Sequence, residues 1–87
     1  MAYKLNIAKQ VVKFLDKTDA NLRIRIINAF ELLTKEPYSV QLDVKPMANK
    51  KSHFRLRVGE YRFLYEINKT EVFIYVYKAD SRGDVYK

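Results

Sequence analysis

The side chains best suited to chemistry crowd into one short stretch: His53-Phe54-Arg55-Leu56-Arg57-Val58, then Gly59-Glu60, then Tyr61-Arg62. Two strand-like runs flank a two-residue loop with Gly in its first position, as a type II′ hairpin prefers. Side chains alternate across a strand, so His53, Arg55 and Arg57 share one face while Phe54, Leu56 and Val58 share the other. If Gly59-Glu60 is the whole loop, Val58 pairs with Tyr61 and Arg57 stands opposite Arg62. Directly opposed like charges destabilise a sheet by roughly 0.2–1 kcal/mol, which makes sense where an anion is bound between them. Lys45, Lys50 and Lys51 lie just upstream, and no acidic residue falls between Lys45 and Arg57. One face therefore reads as core cover and the other as a phosphate-binding surface.

His53 is the only histidine. Imidazole has an unperturbed pKa of about 6.5, so it is the one side chain here suited to proton transfer near neutrality. The hairpin register puts Glu66 across from it, where a carboxylate would favour the imidazolium and the neighbouring arginines would oppose it. An ordinary half-exposed histidine at a strand start is the competing reading. Near the end of the sequence, Tyr86 sits in a polar tail with Arg82, where an amphipathic ring can stack on a base or donate to a phosphate. The other tyrosines read as core or sheet cover. The chain has no Gly-rich phosphate loop, no metal-ligand spacing and no recognisable Ser/His/Asp set.

The hairpin must be held by the elements around it. Tyr3 to Ile7 alternates apolar and polar residues, the period of a strand. Val11, Val12, Phe14 and Leu15 recur at helical spacing over residues 8–17. Thr18-Asp19 offers a break and a new N-cap. Leu22, Ile26, Ala29, Phe30 and Leu33 then form the apolar stripe of a second helix, which Pro37 ends; Ile24 falls off that stripe. Leu42 to Lys45 reads as a short strand cut off at Pro46, Tyr61 to Ile67 as the second hairpin strand, and Val72 to Tyr77 as a further one. The order β-α-α-β-β-β predicts an α+β fold with two N-terminal helices on one face of a small, mainly antiparallel sheet. Phe54, Leu56, Phe30 and Leu33 are expected in its core.

Composition narrows the function. The 87 residues suffice for one domain, 1–87. Seventeen Lys and Arg against ten Asp and Glu leave a net charge of +7, a field that attracts polyanions or an acidic protein. With no cysteine there is no disulfide or thiol nucleophile, which fits a reducing cytoplasm. No apolar run reaches membrane-spanning length. The expectation is a soluble cytoplasmic protein with no membrane partner and no cofactor.

Two segments carry a family resemblance: Phe54-Arg55-Leu56-Arg57-Val58-Gly59-Glu60-Tyr61-Arg62, and Arg82-Gly83-Asp84-Val85-Tyr86-Lys87 at the end. The chain resembles the RelE/ParE superfamily of toxin–antitoxin toxins, and more closely its RelE branch of messenger-RNA interferases. The resemblance implies a metal-free endoribonuclease that cuts mRNA in the ribosomal A site through the ribose 2′-hydroxyl. It also implies an antitoxin partner that wraps around the toxin. For a toxin of this charge, the antitoxin is expected to carry an acidic amphipathic segment.

By the same resemblance Arg62 would neutralise the scissile phosphate. His53 and Arg55 fall where relatives place two lysines that handle the 2′-OH proton and charge. Arg82 matches an arginine of the C-terminal motif, and Tyr86 a tyrosine that stacks on or orients the substrate nucleotide. Arg57, Lys45, Lys50 and Lys51 would bind RNA. Arg55 is a poor base because guanidinium stays protonated, and Ser81 stands where many relatives carry histidine, so His53 is the remaining candidate base. Two alternatives stay open: a toxin of the ParE branch, which acts on DNA gyrase without cutting RNA, and a non-enzymatic RNA-binding module.

Overall fold

The computed structural model describes residues 2–37, 39–48 and 50–81. Strand β1 (Lys4–Ile7) leads into helices α1 (Lys9–Asp16) and α2 (Ala20–Lys35), followed by strands β2 (Asp43–Pro46), β3 (His53–Val58), β4 (Tyr61–Asn68) and β5 (Phe73–Ser81). The short run at Leu42 to Lys45 is thus a true strand, and the sheet has five strands in the order β1-β5-β4-β3-β2. Strands β2 to β5 form an antiparallel meander. Strand β1 runs parallel to β5, so the sheet is mixed. Pro46 lies inside β2 and not beyond it, which is permitted because β2 is an edge strand whose outer side needs no amide donor.

The helical hairpin is made by its polar junction. Asp19 caps α2, its carboxylate accepting from the Leu22 amide at 3.1 Å. Arg23 reaches back from α2 to the end of α1, donating from Nε to the Leu15 carbonyl at 2.8 Å and from Nη2 to the Thr18 carbonyl at 2.7 Å. A cation at a helix C-terminus satisfies orphan carbonyls and complements the dipole. Arg23→Met keeps much of the apolar stem and removes those donors. It should cost about 1–3 kcal/mol, read as a fall of several degrees in the melting temperature.

The amphipathic patterns settle the layers. Val11 and Leu15 of α1 are buried with Ile26, Ala29, Phe30 and Leu33 of α2 against Leu56, Val58, Phe63, Tyr65, Ile67, Ile74 and Val76 of the sheet. Ile24, off the stripe, points to solvent at 58% exposure. Edge-to-face ring pairs cement the layer, Phe63 meeting Phe30 at 5.1 Å and Phe14 at 5.7 Å. Phe54 lies on the same side, stacked on Tyr65 at 5.6 Å. Both helices cover this one face. No helix among the described residues is long and apolar enough to cross a membrane.

The hairpin register is the one the loop implies: Val58 pairs with Tyr61, Arg57 with Arg62 and His53 with Glu66. Gly59 has φ 61°, and Glu60 is not among the positive-φ residues, the φ pattern of a type II′ turn. Strand β5 runs further than the alternation of Val72 to Tyr77 suggests. A bulge between Leu64 and Tyr65 and the facing strand leaves Tyr77 as the extra residue, with Leu64 opposite Lys78 and Tyr65 opposite Val76. That single insertion lets Val76 and Ala79 both face the core while Lys78 stays exposed.

Candidate functional site

With the helices on one side, the other face of the sheet presents His53, Arg55 and Arg57 from β3, Arg62, Leu64 and Glu66 from β4, and Lys45 from β2. A cleft of about 340 Å³ opens there, lined by Lys45, Pro46, Met47, Ala48, Arg55, Arg62 and Leu64. Lys45 and Arg55 are opposed across the β2–β3 pair, and Arg55 is opposed to Leu64 across the next. Arg55 Nε is buried and meets no acceptor among the described residues. A buried donor without an acceptor costs about 1–3 kcal/mol, and a bound oxyanion would recover that cost. Pro46, Met47 and Leu64 thin the water around these cations, which strengthens their attraction for an anion.

His53 stands one step along the same strand face. Its Nδ1 lies 2.9 Å from the Tyr77 hydroxyl, and its Nε2 lies 4.0 Å from Glu66 Oε2. The two rings meet edge to face at 5.5 Å. Tyr77 also points its hydroxyl at Met47 Sδ, 3.6 Å away. Burial, and secondarily the Glu66 carboxylate, push the Tyr77 hydroxyl above its ordinary pKa of 10.0, so it remains a neutral donor and acceptor near neutrality. The imidazole is therefore clamped on one nitrogen by a hydroxyl, with a carboxylate near the other.

Of the basic residues singled out in the sequence, the structure brings Lys45, Arg55 and Arg62 into one cleft and sets His53 beside it. Arg57 is exposed and lines a different cleft of about 490 Å³, next to Arg25, Asn28 and Asp43. Lys50 and Lys51 are exposed in the β2–β3 connection and do not line the basic cleft. Arg82 and Tyr86 lie outside the described residues. The Arg57–Arg62 opposition is present, but its surroundings differ from the expectation of an unrelieved like-charge pair. Asp43 is opposed to Arg57 on one side and Asp80 to Arg62 on the other, so one row across four strands reads Asp43, Arg57, Arg62, Asp80. Sequence reasoning missed Tyr77, Met47 and Asp80. For Tyr77 the signal was available, since Ile74 and Val76 claim one face of β5 and leave Phe73, Tyr75 and Tyr77 for the other.

No family model matches the chain, and no curated protein does. Solved structures do. An archaeal RelE–RelB complex from Pyrococcus horikoshii OT3 contains a chain 30% identical to this one, with 95% of this chain and 98% of that one covered and a TM-score of 0.84. A RelB–RelE antitoxin–toxin complex from Methanococcus jannaschii gives 27% identity, coverage of 93% and 94%, and a TM-score of 0.76. A RelBE toxin–antitoxin complex from Mycobacterium tuberculosis gives 25% identity, coverage of 94% and 100%, and a TM-score of 0.75. These define the class: two helices on one face of an open five-stranded mixed sheet, as in the RelE toxins of RelBE toxin–antitoxin systems. The chain belongs to the RelE-type toxin superfamily.

Proposed function

We propose that this chain is the toxin of a type II toxin–antitoxin pair and that it acts in the cytoplasm as a metal-free endoribonuclease, cutting mRNA in the ribosomal A site. The observation that carries the reading is the cleft of Lys45, Arg55 and Arg62, in which a buried Arg55 donor awaits an acceptor. In the proposed reaction the ribose 2′-oxygen attacks the adjacent phosphorus and the bond to the 5′-oxygen breaks. The products are a 2′,3′-cyclic phosphate and a 5′-hydroxyl. His53 takes the 2′-OH proton, and the leaving 5′-oxygen takes one from solvent water, to which the imidazolium then returns the proton it gained. Arg62 and Arg55 neutralise charge building on the phosphoryl oxygens, and their fixed places on a sheet mean little reorganisation at the moment of reaction. Arg82 and Tyr86 complete the site, Tyr86 stacking on or orienting the substrate nucleotide. Lys45, Arg57, Lys50 and Lys51 hold the flanking RNA backbone. The need for a 2′-OH restricts the activity to RNA.

The partner in this reading is an antitoxin with an acidic amphipathic segment. What supports it is the net charge of +7 and the presence of RelB beside RelE in each of the complexes named above. The test of the whole proposal is synthesis of the protein in a cell-free translation reaction, with primer extension across the reporter message. Cuts at fixed codon positions, suppressed by co-expression of the product of the adjacent gene, are expected. An intact message from a reaction whose translation has stopped would overturn the nuclease reading, and a neighbouring gene that gives no relief would overturn the partner.

A further inference from the structure

Strand β5 carries Phe73, Tyr75 and Tyr77 on the face that neither helix covers, since Ile74 and Val76 are fully buried beneath it. Tyr75 is 37% exposed, a large ring left in solvent on a strand that is second from the edge of the sheet. Its centroid lies 6.0 Å from that of Tyr77, which in turn meets His53. Core packing does not explain this stripe, because none of the three rings belongs to the cluster beneath the helices. Lys4 stands across β1 from Phe73 and Lys78 follows Tyr77, so each end of the stripe has a cation. Glu66, opposite Tyr75, is turned to His53, and Lys78 lies 3.7 Å from Asp80.

We infer that Phe73, Tyr75 and Tyr77 form a base-stacking platform for single-stranded RNA, continuing the substrate track from the basic cleft along β5; this rests on the ribonuclease reading above. The chemistry favours a base over other occupants of the face. Tyr75 offers an open ring face to a base, with the half-buried Phe73 and Tyr77 flanking it along the strand, and stacking tolerates any base because all have a π-face. Glu66, opposite Tyr75, disfavours phosphates over the middle of the stripe, whereas bases carry no charge and leave their phosphates to Lys4, Lys78 and the arginines. Glu66, level with Tyr75, is four residues from Arg62 along β4, about 13 Å at the rise of a strand. A few nucleotides of extended chain span that distance. The platform would thus grip bases near the cut without reading their identity.

The test is binding of the full chain, at low salt, to a short single-stranded oligoadenylate made uncleavable by 2′-O-methyl groups, and to the same backbone with abasic sites. Tyr75→Ala should weaken oligoadenylate binding on the order of 10-fold, and Tyr75→Phe should stay within about 2-fold of the parent. On the abasic backbone the parent and Tyr75→Ala should bind alike. Tyr75→Ala binding oligoadenylate as the parent does, or losing the same factor on both backbones, would overturn the platform. Arg62→Ala separates the two proposals: if it weakens both probes while Tyr75→Ala changes neither, the basic cleft stands and the platform falls. If the parent binds neither probe, or if Tyr75→Ala binds as the parent does, the platform falls, and the nuclease reading stands or falls separately by the cell-free cleavage assay above.

Discussion

Arg62→Ala is expected to slow mRNA cleavage by about 100-fold or more, equivalent to roughly 2.7 kcal/mol of lost transition-state stabilisation. Its effect on stability should be small for a reason visible in the sheet. Arg62 has Arg57 as its neighbour on β3 and Asp80 on β5. Opposed like charges cost, and opposed unlike charges contribute, a few tenths of a kcal/mol to about 1 kcal/mol each. Truncation removes one of each, and the two nearly cancel. The melting temperature should move by no more than about 4 °C, the shift that goes with roughly half a kcal/mol in a domain of this size. Arg62→Lys keeps a charge but not the planar fork that matches a phosphate, and should fall between the parent and the Ala variant. Cleavage and a thermal melt on the same preparations decide the matter. A melt lowered by ten degrees or more, with cleavage reduced only in proportion to the folded fraction, would make Arg62 a structural residue and remove the main support for the cleft as a catalytic site.

The same row of residues shows where the sequence could be read and where it could not. The Arg57–Arg62 opposition follows from local rules alone: a Gly-first two-residue loop sets the register, and period-two alternation sets the face. Leu56, Phe30 and Leu33 are fully buried for equally local reasons. Asp43 and Asp80 join the row through pairings that no local pattern encodes. The partner of Arg57 depends on how the β2–β3 connection closes, and the partner of Arg62 depends on a bulge. Lys78 breaks the alternation of β5, which therefore reads as ending at Tyr77, yet the extra residue at the bulge restores Ala79 to the core and carries the strand on to Ser81. The parallel docking of β1 on β5 is likewise non-local, a contact between the two ends of the chain. Tyr77 reaches His53 for the same reason: they are 24 residues apart and meet only because β3, β4 and β5 lie side by side.

The second large effect is expected at His53. His53→Gln should lower cleavage by about 100-fold or more, within the range that general acid–base groups contribute, with little change in RNA affinity, because Gln preserves a polar planar end of similar reach. The effect depends on Tyr77. Its hydroxyl both donates and accepts, and it has two partners, His53 Nδ1 at 2.9 Å and Met47 Sδ at 3.6 Å. When the hydroxyl hydrogen points at sulfur, the oxygen accepts from Nδ1–H, and the imidazole Nε2 is left with a lone pair able to take a proton from a ribose hydroxyl. When it points at Nδ1, the proton moves to Nε2, towards Glu66, and the ring is no base at that atom. Tyr77 is thus placed to act as a positioning residue, since the direction of its hydroxyl hydrogen is coupled to which imidazole nitrogen carries the proton. Because burial and Glu66 hold its pKa above 10.0, its own ionisation does not intrude on the neutral pH range. Tyr77→Phe keeps the ring against His53 but frees Nδ1, and should lower the cleavage rate about 10-fold while leaving oligoadenylate affinity near that of the parent. A purely structural role would instead lower the melting temperature and affinity together. The single-turnover rate on ribosome-bound message, read beside RNA affinity and a thermal melt on the same preparations, supplies the deciding measurement: the rate should fall while the other two hold. Near-parental single-turnover cleavage by His53→Gln would return His53 to the role of a half-exposed strand residue and leave the base to be found among the groups around Arg55.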